Sequence, residues 1–132
     1  MRHFTPDEAN AALARVRPLV EHMVAHRRAH ASALDRQEQL EGHIRGNGGD
    51  IPPATLAEAA AEVEREAREL ARIVDEIGEH GAQVKDLDEG LIDFPALRQG
   101  ETVLLCWKLG EDAIRYWHRI EDGFAGRRPL PF

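Results

Sequence analysis

The residues best suited to chemistry lie in the last third of the chain. Glu121 follows His118 by three positions, an H-x-x-E spacing that on a helix turns imidazole and carboxylate to one side. Such a pair suits a divalent transition metal: Zn, Fe, Mn or Ni. Glu111 lies two helical turns before His118, about 10 Å along the axis, so it joins the same ion only if the chain folds back. Glu111, Arg115, His118 and Asp122 would then share a polar stripe beside the apolar Ala113, Trp117, Ile120 and Phe124. The alternative for His118 is a half-buried hydrogen-bonding residue next to Trp117.

Asp86, Asp88 and Asp93 form a second group. They fall on or between the strand-like stretches, where aspartate is disfavoured. Such a departure points either to a ligand site or to turn capping by the carboxylate. Arg127, reached through Gly123-Phe124-Ala125-Gly126, has the flexible approach that lets a guanidinium close round an anion, or else belongs to a charged tail. Cys106, between Leu105 and Trp107, reads as a buried small hydrophobe rather than a nucleophile. His22, His26 and His30 repeat every four residues along one helix face, and an adjacent pair has the spacing of a metal chelate. Arg27 and Arg28 beside them oppose a cation, and a solvated face is the other reading. No glutamate follows His22 to complete a zinc-protease motif.

The elements that must carry these residues have local signatures. Thr5-Pro6-Asp7-Glu8 is a capping box with proline at the first helical position. Ala9, Leu13, Val16, Val20 and Met23 then mark a heptad seam, and the helix is expected to run to about Ile44, with a kink or restart at Pro18. Gly46-Asn47-Gly48-Gly49-Asp50 breaks it. Thr55 and Glu58 suggest a second capping box. Leu56, Ala60, Val63, Ala67, Leu70, Val74 and Ile77 continue the 4-3 spacing to Gly78, which predicts a helix over about 54–79 and an antiparallel hairpin. The turn near Gly48 would set His30 opposite Glu66 and Glu69. After Gly81 the pattern becomes strand-like at 84–87, 91–94 and 102–107, with turns at Asp88-Glu89-Gly90 and Gln99-Gly100-Glu101 and with Pro95 ending the middle strand. A short last helix is expected over about 111–120, followed by an irregular tail.

The wording of the chain resembles a bacterial family, domain-of-unknown-function family 2203. The residues that carry the resemblance are Val84-Lys85-Asp86, Gly90-Leu91-Ile92-Asp93-Phe94-Pro95-Ala96, Leu105-Cys106-Trp107-Lys108-Leu109-Gly110-Glu111, Tyr116-Trp117-His118 and Gly123-Phe124-Ala125-Gly126-Arg127. Phe4-Thr5 with Glu8-Ala9-Asn10, and Val16-Arg17-Pro18-Leu19, are similar to its start. His22, His26 and His30 are not part of the pattern. The resemblance implies no reaction.

Composition narrows the function class. The chain has 132 residues and a formal charge of −7, which argues against broad contact with nucleic acid or an anionic membrane. The excess sits in residues 37–80, where eleven acids meet four arginines. No apolar run approaches the ~20 residues of a membrane span, and the acidic MRHFTPDEAN start lacks a signal peptide's apolar region. One cysteine excludes an internal disulfide framework. The expectation is a single cytoplasmic α+β domain over 1–132: a long antiparallel helical hairpin (1–81), then a small antiparallel β-sheet of about three strands and a short C-terminal helix (82–132). Two functions fit it. One is binding of a divalent metal or small anionic ligand between sheet and last helix, through His118, Glu121 and Glu111 as metal ligands and Asp86, Asp93 and Arg127 as ligand contacts. The other is a non-catalytic interaction module in which the hairpin forms a homodimer or pairs with a partner helix. The spacing leaves open whether any catalysis occurs.

Overall fold

The computed structural model describes residues 2–46 and 50–132. Two helices, α1 (Pro6–Gly46) and α2 (Pro53–Glu79), precede a five-stranded antiparallel meander in the order β1-β2-β3-β4-β5. The strands are β1 (Gln83–Asp86), β2 (Leu91–Arg98), β3 (Glu101–Lys108), β4 (Tyr116–His118) and β5 (Arg128–Pro129), with a 3-10 turn at Phe124–Gly126. The class is α+β, as the sequence predicts. The break expected at Asn47, Gly48 and Gly49 lies outside the described residues.

The capping box at the start of α1 forms. Thr5 N donates to Glu8 Oε1 at 2.9 Å and Glu8 N donates to Thr5 Oγ1 at 3.1 Å. All five residues of the first heptad seam, Ala9, Leu13, Val16, Val20 and Met23, are buried. The helix continues unbroken through Pro18. That proline deprives the Ala14 carbonyl of its helical partner, and both residues are on the exposed side, where the carbonyl is open to solvent. The second capping box does not form. Helix α2 begins at Pro53, and the Thr55 amide donates to the Pro52 carbonyl. Two prolines at its start have no N–H to satisfy, so a side-chain cap has less to do there. The hairpin is antiparallel, with His26 meeting Glu66 and Arg36 meeting Glu62. It is His26, one turn before His30, that reaches Glu66.

Three expectations about the sheet need correction. Pro95 lies inside β2, paired with Leu104, and does not end the strand. Its carbonyl accepts from Phe4 N at 2.7 Å on the side that β1 has already left. In an antiparallel strand a residue's N–H and C=O point the same way, so the missing N–H faces away from β3 and costs no ladder bond there. The sheet has five strands rather than about three. There is no C-terminal helix: its expected span holds β4 instead, and the tail contributes β5. The segment is fixed from outside. Asn10 of α1 accepts from Ile114 N at 2.8 Å and donates to Ile114 O at 3.3 Å, while Arg17 donates to the Glu111 and Asp112 carbonyls. These bonds take up the backbone groups a helix would need for itself.

One sheet face carries Ile92, Phe94, Ala96, Val103, Leu105, Trp107 and Trp117, which form one core with α1 and α2. The opposite face carries Asp93, Pro95, Leu104, Cys106, Tyr116 and His118, by alternation along the strands. Asp93, Cys106 and His118 are buried on that face.

Candidate metal centre

Gln99 and Gly100 have φ of 52° and 79°. Two successive left-handed residues make the two-residue hairpin turn that fixes register. Asp93 is thereby set opposite Cys106, and Cys106 in turn opposite Tyr116. His118, paired with Leu104, lies diagonally across from Cys106. Cys106 is the small residue on the middle strand, so the longer side chains from β2 and β4 can meet over it.

They do meet. His118 Nε2 is 3.2 Å from Asp93 Oδ1 and 3.2 Å from Oδ2. His118 Nδ1 donates to the Arg119 carbonyl at 2.8 Å. A carbonyl only accepts, so this contact assigns the Nδ1 hydrogen. One proton is then held between Nε2 and the Asp93 carboxylate. Asp93 is 1% exposed and His118 3%. Burial pushes the Asp93 carboxyl above its ordinary range, opposed by His118, the Cys106 thiol and Lys85. Burial, reinforced by the Asp93 charge, pushes the Cys106 thiol up to about 12. The cluster is therefore a thiol, an imidazole and a carboxylate, and burial keeps the Cys106 thiol protonated at neutral pH.

The donor atoms of Asp93, Cys106 and His118 lie within 4.8 Å of one another, and among the described residues no other group of three does so. A tetrahedral ion with bonds of ~2.0–2.3 Å places its ligands about 3.5 Å apart, so a small inward movement suffices. The Nδ1–H to carbonyl bond is the outer contact that usually orients a metal-ligating histidine through its free Nε2.

A second pair adjoins the cluster. Arg127 Nη2 donates to Glu111 Oε1 at 2.6 Å and reaches the Cys106 carbonyl at 3.4 Å. Glu111 Oε1 also accepts from Lys108 N at 2.7 Å. Burial pushes the Glu111 carboxyl up, but these bonds and the two cations outweigh it and hold it low.

The structure thus brings together Asp93 and His118, and beside them Glu111 and Arg127, from residues spread over 35 positions of chain. It separates others. Glu121 is exposed in the turn after β4, and its helical relation to His118 falls with the helix. Glu111 faces Arg127 rather than the three-donor group. Asp86 caps the β1–β2 turn, accepting from Asp88 N at 2.8 Å and Glu89 N at 3.0 Å, and these bonds lower its pKa. His26 pairs with Glu66 at 2.6 Å, and His22, His26 and His30 do not converge on a donor group. Cys106 is the member of this three-donor group that residue reasoning misses. The signal was present: a two-residue turn at Gln99-Gly100 pairs residues whose numbers sum to that of the turn, and this sets Asp93 opposite Cys106.

No helix among the described residues is long and apolar enough to cross a membrane. No curated protein and no solved structure matches the chain. A family model does, over residues 2–130, and it includes every residue of the cluster. The chain belongs to that family, described as Uncharacterized conserved protein (DUF2203).

Proposed function

We propose that this chain is a metal-binding domain, with Asp93, Cys106 and His118 as ligands to one divalent ion. The observation that supports it is the convergence of three different donors, all buried, from three adjacent strands on the face turned away from the helices. A sulfur, nitrogen and oxygen set favours Zn over Mn, because the thiolate is soft. The ion would displace the thiol proton and the proton shared by Nε2 and Asp93, so binding would release protons. Three protein ligands leave a fourth position of the kind that holds water or substrate in catalytic zinc sites. A reducing compartment such as the cytoplasm would keep Cys106 available.

Protein purified without a histidine tag and dialysed against Zn should carry about one ion per chain. Co substituted for Zn should give a near-ultraviolet thiolate-to-cobalt charge-transfer band, lost in Cys106→Ser. A folded wild-type protein that retains no Zn or Co overturns the reading.

A second reading, homodimerisation through the hairpin, has its own support. Leu34 and Ile44 on α1 are each 39% exposed, and Leu56, Val63, Leu70 and Val74 on the α2 seam are only half-buried. A second hairpin packed there would complete a four-helix bundle. Light scattering should give twice the chain mass of 14.8 kDa, and Leu34→Glu should reduce it to one. A wild-type monomer at about 100 µM, well above a micromolar Kd, rejects this reading.

A further inference from the structure

Asp93, Cys106 and His118 are buried although the helices pack on the other sheet face. The chain between β4 and β5, residues 119–127, supplies their cover. It leaves β4 at His118, whose strand partner is Leu104. Phe124 then shares a cavity of about 200 Å³ with Leu91 and Lys108, and Lys108 Nζ is 5.7 Å from its ring centroid. On this face the pair Asp93–Cys106 lies between the pairs Pro95–Leu104 and Leu91–Lys108. The segment therefore runs from one neighbouring row to the other, over the row that holds Asp93 and Cys106. Arg127 ends the crossing at Tyr116, the strand partner of Cys106, with its guanidinium 4.2 Å from the ring centroid.

One side chain makes the firm attachment of this cover. Its backbone turns close on themselves: Asp122 N donates to Arg119 O at 3.1 Å, Gly126 N to Gly123 O at 3.0 Å and Arg127 N to Phe124 O at 3.2 Å. Such bonds survive if the segment swings away as a unit. Its large apolar residues, Ile120 and Phe124, are 60% and 41% exposed, so little apolar area ties it to the sheet. Arg127 Nη2, by contrast, donates to Glu111 Oε1 at 2.6 Å and reaches the Cys106 carbonyl at 3.4 Å. Segments with few buried apolar contacts open locally at a fraction of the cost of global unfolding.

We infer that residues 119–127 are a hinged gate over the Asp93–Cys106–His118 cluster, latched by Arg127 on Glu111, and that an ion enters and leaves only when this gate opens. Closed, the gate leaves the three side chains no more than 3% exposed, too little for a hydrated ion to approach. The passage of an ion rests on the metal-binding reading; the opening itself does not.

Cys106 is the only cysteine, so its alkylation by iodoacetamide counts openings of the gate in metal-free protein. Wild-type alkylation should be faster than global unfolding allows and nearly independent of urea below the unfolding transition, because local opening exposes little surface. Arg127→Met removes the latch and should speed alkylation about tenfold or more. The change also takes a cation from near the thiol, which disfavours the reactive thiolate, so a faster rate reports opening and not a keener sulfur. Arg127→Lys keeps a cation for Glu111 and should fall between the two. Co uptake, followed by its charge-transfer band, should quicken in Arg127→Met by a factor similar to that for alkylation. Wild-type alkylation that follows global unfolding at every urea concentration overturns the inference, as does an Arg127→Met rate equal to that of wild type. Equal rates of Co uptake in the two proteins overturn the gate and leave the metal-binding reading standing. Alkylation as expected in a protein that takes up no Co supports the hinged cover and rejects the metal-binding reading instead.

Discussion

His118→Ala should destabilise the metal-free protein by about 3 kcal/mol at neutral pH and abolish Zn binding. The size follows from what the change strands. Asp93 loses the partner 3.2 Å away while remaining 1% exposed, and the Arg119 carbonyl loses its donor. An unpaired buried polar group costs ~1–3 kcal/mol, and breaking a buried ion pair ~3–5. The upper range is not reached because Asp93 can take up a proton and the Cys106 thiol still faces it. That escape has a pH signature. Burial already raises the Asp93 carboxyl, and removing His118 removes its chief opponent. The folded variant then binds more protons than the unfolded chain, so its stability falls as pH rises from about 4, the ordinary carboxylate range. Chemical denaturation at pH about 4.5 and about 7 reads this directly. The double variant His118→Ala with Asp93→Asn should lack that slope. Asp93→Asn alone supplies an N–H to Nε2 in nearly the same shape, so it should keep most of the stability and still lose the ion. Equal stability losses in Asp93→Asn and His118→Ala would contradict the shared-proton description.

What the sequence reveals, and what it hides, follows the range of the forces involved. The seam Ala9, Leu13, Val16, Val20 and Met23 is buried throughout because α1 alone sets that periodicity. On α2 the seam is diluted: Ala67 is exposed, and Ala59 and Ile73 are buried off the seam. A helix packed on another helix and also ending against a sheet turns more than one face inward. Strand β4 was illegible because its three residues satisfy a helical spacing as well as a strand's, and the deciding bonds come from Asn10, more than a hundred residues away. The site divides in the same way. Asp93 and His118 stand out as polar residues in apolar text. Cys106 does not, since a small hydrophobe is the usual meaning of such a cysteine. Only the register, counted from Gln99-Gly100, shows that it faces Asp93. Glu121 was attractive solely through a helix that does not form.

Gly90→Ala should cost about 3–4 kcal/mol of stability and leave the candidate site in register. Gly90 ends the β1–β2 turn at φ 68°, a conformation that costs a residue with a Cβ roughly 1–2 kcal/mol. The added carbon would also sit 2.8 Å from Leu109 Cβ, 3.0 Å from Val20 Cγ1 and 3.2 Å from Val24 Cγ2. Val20 and Val24 belong to the buried face of α1, and overpacking such a contact adds ~1–3 kcal/mol. Gly100→Ala is the control: its φ is 79° but its Cβ would meet nothing within 4 Å, so only the strain remains. The difference between the two variants measures how tightly α1 is pressed on the sheet. For a domain of this size the Gly90 variant should melt roughly 12 °C lower. It should nonetheless bind one Zn per folded chain, because Asp93 and Cys106 are aligned by the turn at the opposite end of the β2–β3 hairpin. Deleting Gln99 should do the reverse. It would shift the pairing of β2 with β3 by one residue, turn Cys106 away from Asp93, and remove Zn binding from whatever protein still folds. Thermal melting and metal analysis on the three variants distinguish these outcomes, and a Gly90→Ala protein that melts like Gly100→Ala would show that the helix yields at this contact.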